Sequence, residues 1–438
     1  MTAKFFSVFA AITLLCSATS HAANVIFIHP DGAGVSHWQA ARFFWVGPDA
    51  DLHWDKLEEI AIYRGHLEDT LTASSNAGAT IHAYGVKAPY GGFGADKNGE
   101  RVVAASGKRA SLLHEAIAAG HPTGLINSGS IIEPGTAAFA ATVKDRNKDS
   151  ADVVAQVIES GVHVILSGGE EWFLPIGTAG EFCESGKRED GRNLLDEARK
   201  AGYQVVYTLS ELQAIPSDTP KVLGVFCEGH TFNDMTDDAL KAVNLPTYKP
   251  GTPTLAEMTG EALRILSGRG KDLFLVIEEE GTDNFGNNTN AVGTLDALKR
   301  ADDTFGVALK FFETNPDSLI ITAADSSAGG MDVISSKVSS EPGEVGKPGD
   351  VMGQIRDKSG AEWDRMPDGK WFVAKPDRKG IILPFIVTWA SVYDVSGGIV
   401  VKGAGKNADQ IKGSFDNTDV YALMYETLFG VKLPAVAQ

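Results

Sequence analysis

The stretch SSNAGATIHAYGVK, residues 74–87, sets two hydroxyls directly ahead of a run of small residues with a helical pattern. Packing alone gives little reason for that combination. A serine at a helix N-terminus facing an anion gives a better one, because the first N–H groups of a helix lack partners within it and favour negative charge. Taken alone, Ser75 is explained as well by ordinary N-capping. The chemistry needs partners, and the acids offer them. Asp31 and Gly32 follow the apolar run NVIFIH, where a carboxylate can bind a metal, although Asp-Gly is also a common turn. Glu133, Thr136 and Arg146 lie in IIEPGTAAFAATVKDR, and arginine suits two-pronged phosphate recognition. Glu278, Asp283 and Asn287 lie in VIEEEGTDNFGNN, and Asp325 and Ser326 in SLIITAADS.

These residues need a frame. Short β-rich runs alternate with helical ones: PTGLINSG, VHVILSGG, YQVVYT, LFLVIEEEG and SLIITAAD are separated by runs such as SADVVAQVIESG, RNLLDEARKAG and LAEMTGEALRILSG. The alternation predicts a three-layer α/β/α sandwich around a largely parallel sheet. Such sheets bind ligands beyond the carboxyl ends of their strands, which is where the acids recur. Two polar, Gly-rich regions, near residues 88–108 and 332–380, interrupt the pattern and are expected to be surface insertions, as lids or as decoration. One domain over residues 23–438 is expected to contain them.

The first 22 residues stand apart. Lys4, an apolar run over residues 5–15 and small residues ending at Ala22 form the layout of a secretory signal peptide. Export to the periplasm or the medium is expected, with no stable membrane anchor. The net charge is −18, one unit more negative once Lys4 leaves, which argues against a nucleic-acid partner bound through a basic surface. Cys183 and Cys227 then remain, as a disulfide or as two separate thiols.

Together the blocks resemble the alkaline phosphatase family. Asp-Gly after the first strand, SNAGAT running into YGVK, GLINSGSIIEPGTAAFAATVKDR, VILSGGEEWFLP, EEEGTDNFGNN and ITAADSSAGGM carry the likeness, which spans nearly the whole mature chain. The resemblance implies that Ser75 is a nucleophile forming a phosphoseryl intermediate. It implies that Asp31 bridges two metal ions, that Arg146 clamps phosphate beside Glu133, and that Glu278 holds a third, magnesium-type ion. Asp283 and Asp325 would bind the first and second catalytic metals. Where zinc members of the family have histidines, this chain has Asn287, Ser326 and Asp394. Gly135, with Thr136 beside it, stands at the position of the threonine that joins the magnesium ion.

One inference needs no alignment. None of the ten histidines lies beyond His230, so the later part of the chain can supply only carboxylates, amides and hydroxyls to a site. Such donors suit magnesium, calcium or manganese rather than zinc. Among the earlier histidines, His29, His37, His82 and His230 are each expected to be satisfied structural residues. The expected activity is metal-dependent hydrolysis of small phosphate monoesters, with an alkaline optimum. The alternatives are a phosphodiesterase or sulfuryl hydrolase on the same scaffold, or a non-catalytic metal- or phosphate-binding relative. A homodimer is left open.

Overall fold

The computed structural model describes residues 23–335 and 370–434, with the short stretches 341–345, 362–364 and residue 366 between them. The signal-like leader and much of the second insertion lie outside the described residues.

The centre of the molecule is explained by strands that are apolar on both faces. β1 (Asn24–Pro30) pairs in parallel with β7 (Phe274–Glu279) on one side and β8 (Ser318–Thr322) on the other. Because side chains alternate across a strand, Val25 and Phe27 enter one core while Ile26 and Ile28 enter another. In the same way Phe274 and Val276 of β7 face one core, and Leu275 and Ile277 the other. All eight side chains are essentially buried, each worth about 1.5–3 kcal/mol against exposure. Such strands require helices on both faces. One core is closed by the helices Ser75–Tyr84, Ser150–Glu159 and Asn417–Phe429, the other by Leu255–Ser267 and Ala291–Thr314. This is the expected three-layer sandwich.

The sheet has ten strands. Beyond β7 come β3 (Thr123–Ser130), β4 (Val164–Gly168), β6 (Val222–Val225) and β5 (Gln204–Val206), all parallel. Beyond β8 come β13 (Val400–Gly405), β2 (Glu59–Arg64) and β14 (Ser414–Asp416). Only β13 runs antiparallel to its neighbours in this sheet. A smaller antiparallel sheet, β9 (Asp332–Ile334), β10 (Glu362–Asp364), β11 (Phe372–Val373) and β12 (Pro384–Trp389), holds the described parts of the second insertion.

The first insertion, expected as a surface lid or decoration, is anchored in the interior. Phe93, Val102 and Ala104 are buried in the main core, and Phe93 forms an antiparallel bridge with Val143. The two cysteines are separate buried thiols, and the Cys227 Sγ–H donates to the Gly229 carbonyl at 3.1 Å.

Candidate active site and cation centre

Strands β8, β1, β7 and β3 are neighbours in the sheet, so their carboxyl ends lie side by side. Those ends deliver Asp325, Asp31, Glu278 and the Glu133 turn to one place. Asp31 is locked there by its backbone: its N–H donates to the Glu279 carbonyl at 3.1 Å, and its carbonyl accepts from the Thr282 hydroxyl at 2.6 Å.

The serine pair divides its labour. Ser74 is the N-cap of the helix Ser75–Tyr84 and accepts from the Ala77 N–H at 3.5 Å. Its hydroxyl also donates to the Tyr90 carbonyl, at the foot of the first insertion. Ser75 is therefore relieved of capping, is half-buried, and lies close enough to bear on the Asp31 carboxyl. The small residues now have a reason. A Cβ on Gly78 would meet the Asp325 Cβ at 2.3 Å and its Oδ2 at 2.6 Å, so the helix start approaches this acid only because position 78 has no side chain.

Seven acids converge around one arginine and the His29 ring. Asp31, Glu133, Glu278, Glu280, Asp283, Asp325 and Asp394 act electrostatically on one another, and Arg146 is the arginine among them. Burial, followed by the Asp31 charge, pushes Glu278 up to about 7. Burial and the neighbouring acids likewise raise Glu280, Asp283, Asp325 and Asp394 above the usual carboxylate range. Burial alone would lift Asp31 too, but the His29 imidazole beside it holds it below that range. Arg146 is kept charged against its burial by Glu133, Glu280 and Glu278. Its Nη1 donates to the Glu133 Oε2 at 2.7 Å, which fixes the guanidinium beside the site.

Both carboxylate oxygens of Asp31 and of Asp325, the Ser326 hydroxyl and one Glu280 oxygen are buried without a hydrogen-bond partner. Buried carboxylates normally find donors, and unpaired anionic oxygens are costly. Their concentration here fits divalent cations bound by oxygen.

The structure brings the expected residues together but gives them unequal parts. Glu278 accepts from the Gly135 N–H at 2.9 Å, from the Thr136 hydroxyl at 3.2 Å and from the Asn127 amide. The Thr136 hydroxyl accepts from the Asn127 amide at 2.8 Å and donates to Glu278, so it helps to orient that carboxylate. Asn287 is likewise engaged by its neighbours. Its Oδ1 accepts from the Gly329 N–H at 3.0 Å, while its Nδ2 donates to Asp283 at 3.0 Å and 3.1 Å and to Asp394 at 3.1 Å. It presents donor hydrogens, not an oxygen, and ties two repelling carboxylates together. Asp283 and Asn287 share a face because residues Gly281–Asn287 form a helix, which places side chains four apart next to each other.

His37 is bonded in the core through both ring nitrogens as expected, whereas His82 meets the Tyr63 hydroxyl at 2.8 Å through Nε2 and leaves its buried Nδ1 without a partner. His230 lies at the edge, 3.9 Å from Glu133. His29 is not a satisfied residue: its Nε2 is buried, unpartnered, and 3.5 Å from Asp31. Glu280 is the other residue that sequence reasoning missed. The triplet EEE carried the signal: Glu278 and Glu279 end β7 on opposite faces, Glu279 bound by Arg300 at 2.9 Å, and Glu280, the N-cap of the helix Gly281–Asn287, acts on Glu278 from beyond the strand end.

A family model described as alkaline phosphatase matches residues 22–357. The chain belongs to the alkaline phosphatase family. Relatives in this family include a membrane-bound alkaline phosphatase of Bombyx mori, 26% identical over 70% of this chain and 60% of that protein. A streptomycin-6-phosphate phosphatase of Streptomyces griseus is 28% identical over 70% of this chain and 74% of that protein. The alkaline phosphatase of the Antarctic bacterium TAB5 has the same fold, with a TM-score of 0.70 over 92% of this chain and 98% of its own, at 18% identity.

Proposed function

We propose that this alkaline phosphatase family chain hydrolyses small phosphate monoesters outside the cytoplasm, through a phosphoseryl intermediate on Ser75. One observation carries the reading. Ser75, half-buried and free of helix capping, bears on Asp31 at the start of a helix packed through Gly78 against Asp325, and the buried oxygens of both acids find no partner in the protein. A mere anion binder has no use for such a nucleophile.

Asp31, Glu278, Asp283 and Asp325, with Ser326 and Asp394, are the residues that would hold divalent cations. Bound there, such ions would neutralise charge on the phosphoryl oxygens and make the serine hydroxyl more acidic. Arg146, held by Glu133, grips two non-bridging oxygens of the phosphate. The Ser75 Oγ attacks phosphorus as its proton departs, and the ester oxygen leaves with a proton as an alcohol. Water then attacks the phosphoserine, releasing phosphate and restoring the hydroxyl. Magnesium, calcium or manganese suits the late, imidazole-free donors better than zinc, so the rate should peak at alkaline pH. The leader over residues 1–22 supports export, and no helix among the described residues is long and apolar enough to cross a membrane.

The test is chemical trapping. Metal-loaded protein quenched during turnover should carry phosphate on Ser75. Ser75→Ala should lose roughly 10³-fold or more of its rate while still binding metal. Phosphate recovered elsewhere, or full activity in the variant, would overturn the reading. Faster turnover of an aryl diester or sulfate than of the monoester would move the chain to a different substrate class.

A further inference from the structure

His29 sits at the inner end of the site, at the second-last position of strand β1 and two residues before Asp31. Its ring is fully buried. Phe27 and His82 hold the ring plane, with centroids 5.9 Å and 5.5 Å away. The Nδ1 lies 2.7 Å from the Ala323 carbonyl oxygen. A carbonyl only accepts, so Nδ1 carries the hydrogen and the lone pair of the neutral ring is on Nε2. That nitrogen has no hydrogen-bond partner. His37, by comparison, uses both ring nitrogens, on the Gly34 N–H at 3.2 Å and the Ala328 carbonyl at 3.1 Å; His82 also leaves one nitrogen, Nδ1, unpartnered, but among the described residues the cluster of metal-ligand type gathers at His29 and not there.

Nε2 also has company suited to a cation. Ligand atoms of His29, Asp31 and Glu278 all lie within 4.8 Å of one another. Donors on opposite sides of an ion with bonds of about 2.1 Å are about 4.2 Å apart, so a slight contraction closes the shell. Gly135 leaves room for this arrangement and for nothing more. A Cβ there would come within 2.1 Å of the Glu278 Oε1 and 2.6 Å of the His29 Cδ2. The imidazole therefore fills space that any side chain at position 135 would need.

We propose that His29 is a metal ligand, and that its Nε2 joins Asp31 and Glu278 to hold a borderline first-row divalent cation, such as manganese or zinc, at the inner end of the site. The Nδ1–H bond to a backbone carbonyl is the outer support that a metal-binding imidazole ordinarily has. One nitrogen and two carboxylates favour such ions over calcium. The inference rests on reading the site as a cation centre, and not on the phosphoryl chemistry.

The experiment is pulsed electron paramagnetic resonance on the full protein, stripped with chelator and given less than one equivalent of Mn²⁺. The spectrum should show modulation from a directly bound imidazole nitrogen, and labelling histidine with ¹⁵N should change it. His29→Gln should abolish the modulation and weaken Mn²⁺ binding by about tenfold or more. If that variant does not fold, the signal surviving in both His230→Gln and His82→Gln identifies His29 as its source. Bound Mn²⁺ with no nitrogen coupling would overturn this proposal alone. No bound Mn²⁺ at all would overturn the cation centre with it.

Discussion

The two ends of the acidic site are built differently. At the inner end, Glu278 is held by three fixed donors from Gly135, Thr136 and Asn127, and His29 adds an imidazole fastened to the Ala323 carbonyl. At the outer end, Asp283 and Asp394 face each other across the Asn287 amide, and all three are only partly covered. The rim beside them carries Tyr90 and Tyr393, both exposed. The inner end is fully buried and supplied with nitrogen. The outer end is partly exposed and made of oxygen donors. Imidazole has not vanished from this site; it sits on the first strand instead of the late segments. The contrast teaches that one acidic cleft can present two different preferences to cations, tight and selective inside, loose and hard outside.

Asp31 lies between the two ends and shares its charge with both, so replacing it should erase the distinction. Asp31→Asn should reduce turnover by roughly 10³-fold or more and lower metal content at both ends, read by steady-state kinetics and elemental analysis. A variant that lost metal from one end only would confine Asp31 to that end.

Acidity gives the next largest effect. In metal-free protein the folded-state pKa of Glu278 is raised from 4.5 to about 7, and Glu280, Asp283, Asp325 and Asp394 are raised as well. A group whose folded pKa exceeds its unfolded value binds its proton more tightly when folded. Its stabilising contribution is complete below the unfolded value and is lost as pH climbs through the folded one. His29, raised by Asp31 and Glu278 against its burial, acts in the same direction. Asp31, held low, contributes above its ordinary value and does not reverse the trend in this window. The Tm of chelated protein should therefore fall by several degrees between about pH 5 and pH 8. Saturating magnesium or calcium should flatten the profile. A metal-free Tm that rose over this range would contradict the charge balance described here.

The smallest expected effect sharpens the outer end. Asn287→His should place an imidazole against Asp283 and Asp394, and raise zinc-supported turnover relative to magnesium-supported turnover by about tenfold. An unchanged metal preference would mean that Asn287 has no bearing on the choice of ion.

Much of this arrangement could be read from the chain before folding was considered. β1, β7 and β8 announce themselves as continuous apolar runs because both of their faces are buried. The acids follow them because parallel strands end together. β2 escaped notice because its residues alternate, with Ile60 and Ile62 exposed and Ala61 and Tyr63 buried, which weakens an apolar signal. The helix Gly281–Asn287 escaped because GTDNFGN has two glycines and no helical stripe; it forms where Thr282 anchors it to Asp31 and Glu279. The first insertion looked polar, yet a few buried residues around Phe93 seat it in the core. His29 was visible as a neighbour of Asp31 on one strand face, but sequence cannot say whether a buried ring nitrogen finds a partner. Only the packing around it answers that.

For Ser75 to act, divalent cations must balance the unpaired carboxylates next to it. The direct measurement is elemental analysis of the chelated protein after dialysis against magnesium, calcium, manganese or zinc singly, with turnover of an aryl phosphate read on the same samples. The expected result is at least two tightly held ions per chain with manganese, which suits both ends, and turnover restored by manganese or magnesium. Full turnover in metal-free protein, or its recovery with zinc alone, would contradict it.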